Sequence, residues 1–429
     1  MSSSAAAAPL RNRWLIAVFA LLVQGCLGSV YAWSVFVNPL IANNPDWTRL
    51  QASLAFTIAM SCLGIGTVIG GALQDRFGPR VVTTFAAVIY CLGFLIAAWS
   101  ASHHYLWGLY IGYGLFSGLG MGIGYICPVA MITKWFPDKR GLMTGVNVMG
   151  FGVAALIMGP IAARLIVSQG VPTTLVIFGL IYGAIILVSA QFFANPVQNW
   201  VPEGWTATSK VSKNASLVHF EPKQALSTRR FWLLWAMLSL NTSAGIMIVS
   251  QASPLSQTQL GITAVQAASI VGIISIFNGG GRIFWAWISD LIGRGQAYFL
   301  IFLIQIPLFF LLPQIHEVVM FTVVVCIIQL CYGGGFGVMP SFTADFFGSK
   351  YVGSIYGWIL MGWGLAAVPA PLLMAYVFQK YGSFDGAILA LGVVLIISLI
   401  FPLLAMREVK LMFARGETKS ATGPVIPRG

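Results

Sequence analysis

Twelve apolar runs, each 19 residues or longer, follow one another along the chain at 14–40, 49–73, 81–101, 105–132, 142–168, 173–194, 231–258, 264–289, 296–314, 317–344, 352–378 and 384–406. A run of that length can cross a hydrocarbon core of about 30 Å as a helix. In lipid, only a helix or a closed barrel satisfies its own backbone. The expected fold is therefore an all-α membrane protein with twelve transmembrane helices. Composition agrees: 58% of residues are apolar and 8% charged, with a mean hydropathy of +0.87. No soluble domain of 429 residues reads this way. The one long polar stretch, 195–230, divides the runs six and six. The expected organisation is a disordered N-terminus at 1–13, a six-helix half at 14–194, a linker at 195–230, a second half at 231–406 and a tail at 407–429.

The net charge of +12 follows from loop asymmetry rather than from a nucleic-acid surface. Of 23 Lys and Arg residues, nineteen fall on one side of this topology, and only Arg49, Arg164 and Lys380 on the other. Both termini and the linker are thereby expected in the cytoplasm, in a bacterial-type inner membrane. On that side a formal glycosylation sequon at 214–216 is out of reach. The first run is too long for a signal peptide. The six cysteines all lie within runs and lack metal-ligand spacing, so they read as packing residues. No metal, cofactor or nucleic-acid partner is expected.

The two halves repeat. Gly141, Gly145, Gly150 and Gly152 recur 212 positions later as Gly353, Gly357, Gly362 and Gly364. Asp75 and Gly78 recur at a shift of 215 as Asp290 and Gly293. Two halves of equal topology imply a pseudo-two-fold axis along the membrane normal, with a binding site at mid-depth between them.

One charge stands inside the runs. Arg282 lies eight residues before Asp290, which is about 12 Å along a helix and close to mid-depth. A buried guanidinium costs at least about 2.5–3.5 kcal/mol and marks a functional site by default. It suits a carboxylate, which it grips with two parallel hydrogen bonds. Asn278 lies one turn away on the same face. The flanking Gly279, Gly280 and Gly281 are expected to thin the helix and make room for a ligand.

At this point the chain resembles a known family. The stretch from Gly71 through Asp75, Arg76 and Gly78 to Arg80 is similar to the cytoplasmic-loop signature of the major facilitator superfamily, with a degenerate copy at Asp290, Gly293 and Arg294. The resemblance implies that these acids cap neighbouring helix ends and that the arginines latch the cytoplasmic side. Tyr31-Ala-Trp33, Asn38-Pro39, the run from Trp135 to Gly141, and Asn278 to Arg282 further resemble the oxalate–formate antiporter branch and its monocarboxylate-transporter relatives. Two departures matter. Oxalate-exchanging members place a lysine in the eleventh span, where this chain has Trp363. Animal monocarboxylate transporters place an aspartate where this chain has Asn278.

One buried positive charge suits one carboxylate, because a dianion would leave a charge uncompensated in low dielectric. No Asp, Glu or His falls at mid-membrane, so a buried proton relay has no residue to use. Tyr31, Tyr125 and Tyr332 are expected near mid-depth as hydroxyl donors, with Phe336 and Phe151 as aromatic walls and with Trp363 and Leu27 narrowing the pocket. Asn147 and Gln329 are expected to make packing bonds between helices. The expected function is secondary transport of a small monocarboxylate such as lactate, pyruvate, acetate or formate, with a proton, by a monomer. The alternative is exchange of organic anions of the oxalate and formate type. No nucleophile–base pair or nucleotide motif suggests an enzyme.

Overall fold

The computed structural model describes residues 12–197, 200, 202 and 219–417. The sequon at 214–216, the cations Arg11, Lys210, Lys213, Lys419 and Arg428, and most of the expected N-terminus, linker and tail lie outside them. The described apolar runs fold as helices, and the breaks fall where the backbone cannot continue. In chain order these are α1 (Arg13–Gly28), α2 (Ser34–Asn43), α3 (Arg49–Phe77), α4 (Pro79–Ser102), α5 (Leu106–Leu109), α6 (Gly118–Trp135) and α7 (Arg140–Phe192). After the polar stretch come α8 (Pro222–Leu226), α9 (Arg229–Leu260), α10 (Ala264–Ile292), α11 (Arg294–Leu311), α12 (Val318–Phe347), α13 (Val352–Ala366), α14 (Pro369–Tyr381), α15 (Asp385–Ser398) and α16 (Ile400–Ala414).

Among the described residues, eleven helical segments are long and apolar enough to cross a membrane. One of them, α7, has 53 residues, or about 80 Å, which is more than two crossings. It breaks at Gly170, whose φ of 78° is left-handed, two residues before Pro172. The fifth and sixth runs are thus two crossings joined at a sharp kink, giving twelve in all.

Other runs are interrupted. A 3-10 segment, Ser29–Ala32, separates α1 from α2. The run expected at 352–378 breaks between Ala366 and Pro369, where Pro369 and Pro371 have no amide to donate to the preceding turn. The last helix continues to Ala414, carrying Arg407 and Lys410 out of the expected tail.

The repeat appears in the caps as well as in the glycines. Thr48 and Gln51 form a capping box at the start of α3, and Thr263 and Gln266 form another at the start of α10. Both pairs are 215 residues apart. Gly78 and Gly293, with φ of 81° and 104°, end the same two helices.

The halves meet through two equivalent crossings, α7 on α10 and α3 on α13. A methyl group added to Gly152 would lie 2.8 Å from Gly279 Cα, and one added to Gly64 would lie 3.1 Å from Gly364 Cα. Only backbone fits there, so both crossings require glycine. Gly279 and Gly281 accordingly serve packing against α7 and α12, since their added methyls would strike Val153 and Leu330. They do not open space for a ligand, contrary to the expectation from sequence. The six cysteines are free thiols, five of them buried.

Candidate functional site

Arg282 is fully buried on α10. One terminal nitrogen donates to the Val148 carbonyl of α7 at 3.0 Å, and the other reaches Asn278 Oδ1 at 3.5 Å. Its Nε has no partner. Asn278 in turn donates to Gln329 Oε1 at 3.2 Å, and Gln329 donates to the Gly245 carbonyl at 3.1 Å. The guanidinium is therefore oriented by neutral groups from three neighbouring helices. Among the described residues no carboxylate pairs with it.

Aromatic rings enclose the charge. The guanidinium carbon lies 5.0 Å from the Phe336 ring centre and 5.6 Å from that of Phe151. Phe151 meets Tyr31, Tyr125 and Trp363 edge-on at 5.3, 5.4 and 5.6 Å. Trp363 also packs on Phe336 at 4.7 Å, and Phe336 on Tyr332 at 5.4 Å. Leu27 is fully buried against Gly124, next to Tyr125. All eight residues expected at the site thus surround Arg282 or adjoin its cage.

The polar atoms of this cage are unused. The hydroxyls of Tyr31, Tyr125, Tyr332 and Tyr356, Trp363 Nε1 and Arg282 Nε are buried without a hydrogen-bond partner. Buried donors are normally satisfied, and each orphan costs about 1–3 kcal/mol. Six such atoms lie together around Arg282. Tyr31 and Tyr332 are close neighbours across the halves, as are Tyr125 and Tyr356, and all four interact with Arg282. Tyr356 was not expected from the sequence. Its spacing of seven from Trp363 puts both on one helical face, the signal that could have found it. A narrow cleft of about 30 Å³ adjoins the cage, lined by Tyr31, Asn278, Val249, Val271 and Ser275 among others. Its walls come from the ends of α9 and α10 remote from the short basic loops.

On the basic-loop face the halves are tied together. Asp75 accepts from the Ser354 amide and hydroxyl at 2.8 and 2.7 Å, capping α13. Asp290 accepts from the Gly141 and Leu142 amides at 3.2 and 3.0 Å, capping α7. Arg140 and Arg294 converge on Asp345 at 2.8 and 3.2 Å, and Arg294 also pairs with Asp290 at 2.6 Å. Lys134 lies 3.8 Å from Asp75. Arg76 and Arg80 do not join this cluster. Arg76 is exposed over Phe77, and Arg80 bonds Gln191 within its own half. Arg140, Lys134 and Asp345 take the places expected for them, because the loop turns the two arginines outward.

Comparison with known proteins agrees with this geometry. Residues 14–371 match the major facilitator superfamily. The oxalate:formate antiporter of Oxalobacter formigenes is 29% identical over 376 residues, 87% of each chain. Monocarboxylate transporter 12 of Mus musculus is 22% identical over 90% of this chain and 83% of its own. Among solved structures, the Escherichia coli fucose:proton symporter superposes with a TM-score of 0.66 at 16% identity, covering 91% of this chain and 99% of that one. With its apolar crossings in two equivalent halves around a buried arginine, the chain belongs to the major facilitator superfamily, has the oxalate:formate antiporter and monocarboxylate transporters among its relatives, and is a multi-pass membrane transporter.

Proposed function

We propose that this transporter moves small monocarboxylates of the lactate, pyruvate, acetate and formate class, in symport with a proton, by alternating access. The substrate carboxylate binds Arg282, with the Tyr31, Tyr125 and Tyr332 hydroxyls as further donors and with Phe151, Phe336, Trp363 and Leu27 limiting the chain length. Asn278 orients the guanidinium. The observation that carries this reading is a single buried guanidinium with no acid partner, ringed by unused donors. One anion neutralises it, and a neutral centre can pass through a closed intermediate without a charge stranded in low dielectric. The proton travels on the substrate or on solvent, since the described residues place no Asp, Glu or His beside Arg282. We assign the basic-loop face to the cytoplasm on the positive-inside rule.

Arg282→Ala in proteoliposomes is expected to cut lactate uptake by about 100-fold, the worth of a hydrogen bond to a charged group of roughly 3 kcal/mol. Arg282→Lys keeps the charge without the fork and is also expected to be severely impaired. Near-normal uptake by both variants, inserted and folded as in the wild type, removes the site assignment.

A second reading, exchange of organic anions, is favoured by the likeness to the oxalate:formate antiporter and by the same lack, among the described residues, of an Asp, Glu or His in the cage. The two readings separate in one assay. Symport is stimulated by an inward proton gradient into empty vesicles. Exchange requires internal carboxylate and ignores the gradient.

A further inference from the structure

On the basic-loop face a groove of about 530 Å³ runs between α11, α12 and α16. Its floor is the Arg294–Asp345 pair, and there the charge is already balanced. Arg294 spends Nε on Asp345, one terminal nitrogen on Asp290 and the other on Ser289. Its rim is not balanced. Arg407 and Lys410 line the groove from α16, three residues apart and therefore on one helical face. Both are exposed, and among the described residues neither has an ion-pair or hydrogen-bond partner. Glu408, between them in sequence, is turned away to Arg230 at 3.5 Å. The lining beside them is apolar: Phe342 and Phe346 from α12, both buried, stand behind Leu403 from α16, which is 49% exposed.

We propose that this groove binds one anionic phospholipid, with its phosphate on Arg407 and Lys410 and an acyl chain along the exposed side of Leu403, backed by Phe342 and Phe346. Two uncompensated cations at the mouth of an apolar trough match a headgroup of net negative charge continuous with hydrocarbon. A zwitterionic lipid brings its own cation against the second unpaired charge. A free anion has no use for the apolar walls, and two solvated cations hold it weakly. The site lies within the C-terminal half and is separate from the Arg282 cage, so it stands independently of the substrate reading.

The test is native mass spectrometry of the full chain released from nanodiscs of equal phosphatidylglycerol and phosphatidylcholine. The wild type is expected to retain one phosphatidylglycerol in preference to phosphatidylcholine. The double variant Arg407→Gln, Lys410→Gln is expected to lose that preference by roughly tenfold. Both substitutions are on exposed side chains outside the transport site, so uptake reports that the variant is folded. Lys350→Gln removes another exposed cation of the same face and is expected to leave the preference unchanged. Equal retention of the two lipids by the wild type overturns the proposal, as does a preference surviving in the double variant. An equal loss on Lys350→Gln overturns it in favour of diffuse attraction. Displacement by millimolar inorganic phosphate overturns it in favour of a free-anion site.

Discussion

A single residue sets the chemistry of this protein, and its neighbours set the number of charges it can meet. Arg282 and Asn278 are legible in the sequence because one charge in a long apolar run has few explanations, and spacing of four fixes their shared face. Phe151 is legible only through resemblance, and Tyr356 only through its spacing of seven from Trp363, because rings that pack around a site look like any others in a chain with 29 Phe and 13 Tyr. Gly279 and Gly281 beside Arg282 mislead for the same reason: sequence shows that side chains are missing but not which helix fills the gap. Trp363 tests the charge count directly. Its Nε1 is unpartnered, and its ring contacts Phe336, Tyr125 and Phe151 around the guanidinium. Trp363→Lys places a second cation in the cage. With no anion present, that charge is uncompensated, and the melting temperature is expected to fall. Oxalate supplies two carboxylates, so it is expected to raise the variant's melting temperature more than the wild type's. Oxalate uptake should rise while lactate uptake falls. No gain with oxalate would refute the charge-counting argument.

At the scale of elements, helix ends decide where the crossings stop. Their existence is plain from hydropathy, but the kinks are not, because hydropathy does not register the left-handed turn at Gly170 or the step before Pro369. The capping boxes at Thr48 and Thr263 are written in the sequence yet lie outside the apolar signal. A further cap gives a pH-dependent prediction. Glu317 precedes α12 and accepts from the Val319 and Met320 amides at 2.9 and 2.6 Å. These amide hydrogen bonds hold its carboxyl below the ordinary value of 4.5. A depressed folded-state value contributes stability that is fully present above the unfolded-state value and lost as pH falls through the folded one. Glu317→Ala is therefore expected to lower the melting temperature slightly at pH 7. Below the folded-state value the charge-dependent part of that difference should vanish. A difference that stays constant across an acid titration would assign the effect to helix propensity alone.

For the whole molecule, the pseudo-two-fold axis turns one repeated sequence feature into two matched locks. Gly152 on Gly279 and Gly364 on Gly64 are the same contact made twice, and so are the caps of Asp290 on α7 and Asp75 on α13. The pairing is partly legible, since the 212 and 215 shifts foretell the repeat. What the shifts leave open is that each acid caps a helix of the opposite half, a fact that appears only when the halves are docked. The acid caps lie on the basic-loop face, while the cleft lined by Tyr31 and Asn278 opens on the other side. Removing the charge of both acids should release the tied face. Asp75→Asn and Asp290→Asn keep an oxygen acceptor but lose the charge that favours a helix N-terminus, worth about 1–2 kcal/mol each. The two contacts share no residues, so their effects should add, moving the equilibrium by on the order of 100-fold in the double variant. Spin labels on Asn43 and Thr258, both exposed at the far ends of α2 and α9, report the outcome. Their separation should shorten in the double variant as the far face closes, with each single variant about halfway on a free-energy scale. An unchanged distance distribution would mean that the glycine crossings alone hold the halves, and that the paired acids are caps without a part in the transport cycle.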